Sequence, residues 1–96
     1  MIAAMRVHFY ATLRLLAGEK TVELPLPAGA NVRQLLDAVI ERYPPMKEEL
    51  FDEAGDLFGH VHVFVNGRDA PHLDRALETT LGEDDRVDLF PAVAGG

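Results

Sequence analysis

A chain of 96 residues has room for one small domain with a single core, and not for a large enclosed active site. Its formal charge of −7 lacks the basic stripe that nucleic acid demands, and 48% hydrophobic with 26% charged residues exclude a disordered chain. With no cysteine there is no disulfide framework, thiolate nucleophile or cysteine zinc site, which fits a reducing cytoplasm. Residues 1–6 carry neither the basic start nor the long apolar run of a signal peptide, and no apolar run reaches membrane-spanning length. The expectation is a cytoplasmic protein without nucleic-acid or membrane partners, whose acidity steers it toward a basic protein.

In chain order, residues 5–10 alternate, with Met5, Val7 and Phe9 on one face and Arg6, His8 and Tyr10 on the other. That period of two predicts a half-buried strand. Residues 11–18 read as a Leu-rich loop closed by Gly18. Residues 20–26 alternate again through Val22, Leu24 and Leu26, and Pro25 suits an edge strand because its missing N–H does no harm there. The two strands form an antiparallel hairpin.

Asn31 follows a Pro-Ala-Gly-Ala breaker, and Gln34 stands three residues on, a capping-box pattern. From there Val32, Leu35, Leu36, Val39, Ile40 and Tyr43 recur at helical spacing. Pro44 and Pro45 stop the helix. Residues 45–51 add a further helical turn or two, with Met46 and Leu50 inward, and residues 52–59 are an acidic turn. Residues 60–66 are a strand with Val61, Val63 and Val65 inward and His60, His62 and Phe64 outward. Asn66-Gly67 is a turn signal, since both tolerate positive φ. Residues 68–70 are a short return strand, and Pro71 opens a helical stretch whose Leu73, Leu77 and Leu81 reach the core. Residues 86–90 are the last strand, with Val87 and Leu89 inward and Asp88 and Phe90 outward.

One helix with a single apolar stripe covers one face of a sheet, which makes this an α+β domain in two layers. The last strand then lies inside a mixed sheet, beside the first. This arrangement is the β-grasp, or ubiquitin-like, fold, occupying residues 1–90, with residues 91–96 as a flexible tail that closes on Gly95-Gly96.

Four stretches carry a family resemblance. They are residues 7–14 (Val-His-Phe-Tyr-Ala-Thr-Leu-Arg), the turn Val65-Asn66-Gly67, residues 81–87 (Leu-Gly-Glu-Asp-Asp-Arg-Val), and the end Phe90-Pro91-Ala92-Val93-Ala94-Gly95-Gly96. The chain resembles the small, sulfur-carrying subunit of molybdopterin synthase and its relatives among the ubiquitin-like sulfur carriers. One departure is that residues 44–59 are longer than the smallest carriers need, which argues against a thiamine-pathway carrier. The resemblance implies that the chain carries and its partners catalyse. A ubiquitin-activating-type enzyme adenylates the Gly96 carboxylate with ATP, and a sulfur donor protein converts it to a thiocarboxylate. The tail then enters the large synthase subunit. No cofactor is bound by the chain itself.

The residue types suit that chemistry. Gly95 and Gly96 can enter a slot too narrow for side chains. Pro91 stiffens the root of the arm. Beside it, Tyr10, Phe90 and Phe64, with His8 and His62, share the sheet face away from the helix. Aromatic side chains on a bare sheet face, with Pro91 and Val93 next to them, predict a partner-docking surface. His60 and His62 share one strand face, but no third metal ligand is evident apart from His72 or an acidic loop, so the expectation is no metal. The acidic run Glu83-Asp84-Asp85, with Asp88, reads as a solvated turn or a steering charge. Two other functions remain open: a modifier joined through Gly96 to lysines of other proteins, and a binding module with an idle tail. Carriers for tRNA thiolation or thiamine synthesis belong to the same class.

Overall fold

The computed structural model describes residues 2–58, 61–69, 76–82 and 84–91. The elements run β1 (Ile2–Phe9), α1 (Ala11–Ala17), β2 (Thr21–Pro27), α2 (Val32–Arg42), a 3₁₀ turn (Pro44–Met46), α3 (Lys47–Leu50), β3 (His62–Val65), β4 (Arg68–Asp69), a second 3₁₀ turn (Ala76–Glu78) and β5 (Arg86–Phe90). The strands form one mixed sheet in the order β2-β1-β5-β3-β4, in which, among the described residues, only β1 and β5 run parallel. The expected β-grasp architecture is therefore present, with the last strand at the centre beside the first.

The alternation in the strands places their apolar sides under α2. Met5, Val7 and Phe9 of β1, Val22, Leu24 and Leu26 of β2, Val63 and Val65 of β3, and Val87 and Leu89 of β5 are buried against Val32, Leu35, Leu36 and Val39. Pro25 sits on the edge strand, as its missing donor requires.

Helix α2 starts where its sequence says it should. The Asn31 side chain accepts from the Gln34 N–H at 2.8 Å, and the Gln34 side chain accepts from the Asn31 N–H at 2.9 Å. Its first turn is also tied to the segment before β5, through Val32 N–H to the Thr79 carbonyl and Leu81 N–H to the Ala30 carbonyl. At the other end Tyr43 meets Phe9 edge to face and donates to Glu19 at 2.6 Å, fastening the connection before β2 onto the helix. Burial, and then the bond to Glu19, raise the Tyr43 phenol above its ordinary range.

Met46 and Leu50 are fully buried, as the helical turns after Pro44 predict, and Phe51 joins them. Asn66 and Gly67 both adopt positive φ in the turn between β3 and β4. Leu81 is buried and Leu77 partly so, whereas Leu73 lies outside the described residues.

One stretch differs in kind from its sequence reading. Residues 11–17 form helix α1 rather than a loop. Its N-cap position is Tyr10, whose side chain makes no cap bond, and its first turn holds no acidic residue. The usual start signals are thus missing. The helix is instead pinned by the fully buried Leu13 and closed by Gly18 at φ 73°. Among the described residues no helix is long and apolar enough to cross a membrane.

Candidate functional site

The sheet face turned away from α2 is built by the outward residues of three adjacent strands. Register sets His8 of β1 opposite Asp88 of β5, and sets Phe64 and His62 of β3 opposite Asp88 and Phe90. Tyr10 directly follows the Phe9–Leu89 pair and so falls beside Phe90. The two rings stack with centroids 4.1 Å apart and planes 8° from parallel. Phe64 meets Phe90 edge-on at 5.3 Å, and the His62 ring lies 6.0 Å from Phe64. The aromatic cluster expected from alternation is therefore a continuous packed surface of Tyr10, Phe90, Phe64 and His62.

His8 is not part of it. Its Nδ1 lies 3.0 Å from the Thr21 hydroxyl, toward β2, in a polar strip with Arg6, Glu23 and Arg86. Arg6 pairs there with Glu23 at 3.1 Å.

Asp88 corrects the reading of the acidic run as solvated charge. It lies on the outward face, as the period of two requires, yet it is only 8% exposed. The Tyr10 hydroxyl donates to its Oδ1 at 2.9 Å, and the Arg86 Nε donates to both carboxylate oxygens at 3.1–3.2 Å. Arg86 Nη2 also donates to the Tyr10 oxygen at 3.2 Å. The hydrogen bond to Tyr10, followed by the hydrogen bonds and charge of Asp88, raises the guanidinium above its usual range. This closed network fixes the outer edge of the Tyr10 ring while Phe90 holds its face. A buried carboxylate with these partners is satisfied, and stripping one partner would leave a costly orphan.

Asp85 is likewise engaged. Its oxygens accept from the Gly82 N–H at 2.7 Å and from the Asn66 side-chain amide at 2.9 Å, and the Asn66 oxygen accepts from the Arg86 N–H. The residue therefore locks the β3–β4 turn to the start of β5. Asp84 is exposed, and Glu83 lies outside the described residues. The network of Tyr10, Asp88 and Arg86 had no signature in the sequence, because Tyr10 and Asp88 stand 78 residues apart and meet only through strand order.

β5 delivers the chain to the tail at the edge of this cluster. Pro91 is buried, so the root is held in the body of the domain. Val93, Gly95 and Gly96 lie outside the described residues, as do His60 and His72. Among the described residues no group of three metal-ligating side chains converges. On the helix side of the sheet an open hollow is lined by Arg33, Asp37, Lys47 and Phe51, with the Arg33 guanidinium 5.1 Å from the Phe51 ring centre and bonded to the Gly55 carbonyl. These bonds brace the long loop after α3.

The chain is similar to known proteins over nearly its full length. The ThiS family matches residues 7–96. A curated relative, small archaeal modifier protein 3 of Haloferax volcanii, is 34% identical over 96% of this chain and 98% of its own. The crystal structure of SAMP1 from Haloferax volcanii superposes with a TM-score of 0.87 at 32% identity, covering 98% of this chain and all of that one. The putative molybdopterin converting factor, subunit 1, from Pyrococcus furiosus has a TM-score of 0.75 at 34% identity, covering 95% and 99% of the two chains. A chain in the Amycolatopsis orientalis BexX/CysO complex has a TM-score of 0.80 at 34% identity, covering 97% and 100%, so a protein of this shape is seen there in assembly with another. The β-grasp body, the central β5 that leads to the tail and this match across residues 7–96 lead to one conclusion: the chain belongs to the ThiS family, among the ubiquitin-like sulfur carriers and modifiers.

Proposed function

We propose that this chain is a sulfur carrier whose Gly96 carboxylate is activated by a partner, in the role of the small subunit of molybdopterin synthase. A carboxylate is a poor electrophile because its negative charge repels nucleophiles and oxide is a poor leaving group. Attack of the Gly96 carboxylate on the α-phosphorus of ATP, bound by a ubiquitin-activating-type enzyme, would release pyrophosphate and form an acyl adenylate. Sulfide-level sulfur delivered by a donor protein would then attack the acyl carbon, displace AMP and leave a thiocarboxylate, the nucleophile that the large synthase subunit uses. ATP belongs to the partner in this scheme, and this chain contributes the reactive end, its reach and the docking face. The observation that supports the reading most is the position of β5. It is a central strand, parallel to β1, and it releases the chain at Pro91 beside the packed aromatic cluster. The Pyrococcus relative, named a putative molybdopterin converting factor subunit, favours the molybdopterin route.

A second reading, conjugation of Gly96 to lysines of other proteins, is favoured by the 34% identity to an archaeal modifier protein. The two share every step up to the adenylate. Intact mass of the protein isolated from its native cell separates them. One sulfur-for-oxygen exchange is expected for the carrier, whereas Gly-Gly remnants on lysines of other proteins after trypsin would establish the modifier. Neither product in the presence of the activating enzyme and ATP would overturn both.

The aromatic cluster gives a second check. Phe90→Ala removes the ring that both Tyr10 and Phe64 pack against. Affinity for the large subunit, measured by calorimetry, is expected to fall about thirtyfold, equivalent to ~2 kcal/mol, as for loss of a central aromatic anchor. An unchanged affinity in a variant with native circular dichroism would remove the docking role.

A further inference from the structure

Helix α1 stands outside the aromatic face and its hydrogen-bonded network. Its Leu13 is fully buried, but Leu15 is 80% and Leu16 40% exposed, and these are the large hydrophobic side chains left open to solvent among the described residues. Helical geometry explains the difference between them: Leu15 is turned about 200° from Leu13, to the opposite side, whereas Leu16 is turned about 300° and stands at the rim of the core-facing side. Nothing in the packing requires leucine at position 15, and Leu16 is only partly covered.

The fold decides where this pair stands. β1 and β5 run parallel with Phe9 opposite Leu89, so α1 leaves the sheet at the same end as Pro91. The chain is turned into the helix at Ala11, which adopts φ 52°, a left-handed conformation that a residue with a Cβ adopts only under constraint. Leu13 anchors the helix in that direction. The helix is about 10 Å long at 1.5 Å per residue. Gly96 stands five residues beyond Pro91, and five residues fully extended span at most about 18 Å. Any protein that works on the Gly96 carboxylate must therefore bring its surface within that distance of Pro91, and α1 lies inside that radius.

We infer that Leu15 and Leu16 are a docking point for the enzyme that adenylates Gly96, received by an apolar pocket on that enzyme beside the channel that takes the tail. This rests on the reading of Gly96 as the activated group, and it adds to the sheet face, which serves the large subunit, a contact on α1 for a different partner. The two contacts differ in construction. The aromatic cluster is rigid and held by Asp88, whereas the leucines project singly from a short helix.

The test uses the full chain with the ubiquitin-activating-type enzyme of the same cell, and follows ATP–pyrophosphate exchange dependent on this protein. For the double variant Leu15→Ser with Leu16→Ser, the KM for this protein is expected to rise roughly tenfold, the loss of two partly buried leucines at a contact. The kcat should stay within about twofold, because the carboxylate and its reach are unchanged. The double variant Leu15→Met with Leu16→Met should restore the KM, since it returns apolar area with a different shape. Melting temperature reports that both variants fold, as expected for exposed positions. An unchanged KM in the serine variant overturns the inference while the carrier reading stands. Absence of exchange with the wild-type chain overturns the reading itself, and the inference with it. Light scattering covers the remaining occupant: a wild-type dimer that the serine variant dissociates, with KM unchanged, would assign the leucines to contact between two copies and overturn the proposal.

Discussion

Appending one residue after Gly96 is expected to abolish adenylation and sulfur loading while leaving the fold intact. The reacting group in the proposed chemistry is the carboxylate of a residue that has no side chain. Adding even alanine moves that carboxylate about 3.5 Å along the arm and brings a Cβ into a slot sized for glycine. Misplacement by an ångström already lowers rates by orders of magnitude where a nucleophile must meet a fixed phosphorus. The body should not register the change. The core closes at Leu89 and the root at Pro91, and the added atom lies beyond both. The measurement pairs pyrophosphate exchange with urea unfolding. Exchange that survives the extension, in a protein whose mass proves that it was not trimmed, would overturn the mechanism. Extension at the N-terminus, on the far side of the sheet from the tail root because β1 and β5 are parallel, is the matching control.

The largest expected effect on stability comes from Leu36→Ala. Leu36 has no exposure and stands on the stripe of α2 that faces the sheet. Truncation there removes three carbon atoms from a site walled by strands on one side and helix on the other, so little can collapse into the gap. A loss of ~2–5 kcal/mol is expected in urea unfolding. That is a large part of the ~5–15 kcal/mol typical of a whole domain. Leu15→Ala, the same chemical change on an exposed helix face, should move the midpoint by no more than the equivalent of ~0.5 kcal/mol. Similar losses at both positions would show that α1 packs differently from the arrangement described.

The same contrast explains which parts of the fold could be read in advance. Helix α2 was legible because its signals are local: Asn31 and Gln34 cap it within one turn, its stripe repeats at helical spacing, and Pro44 forbids its continuation. Strands β1, β2, β3 and β5 were legible through alternation, although β3 is shorter than residues 60–66 and β1 begins three residues before the pattern became regular. Helix α1 was not legible. It has no capping side chain, no acidic first turn and leucines on more than one face, so only the burial of Leu13 against the sheet settles its form.

The sequence by itself determined the two-layer composition, the aromatic composition of the open face and the glycine end. These follow from periodicity and backbone chemistry, which act over a few residues. Tertiary structure alone decided that Asp88 is a buried anchor for Tyr10 and Arg86, that His8 turns to Thr21 and away from the aromatic cluster, and that Leu15 and Leu16 stand open beside the tail root. Each of these depends on which strand lies next to which. Register across a parallel pair joins residues eighty positions apart, and no local pattern encodes that contact.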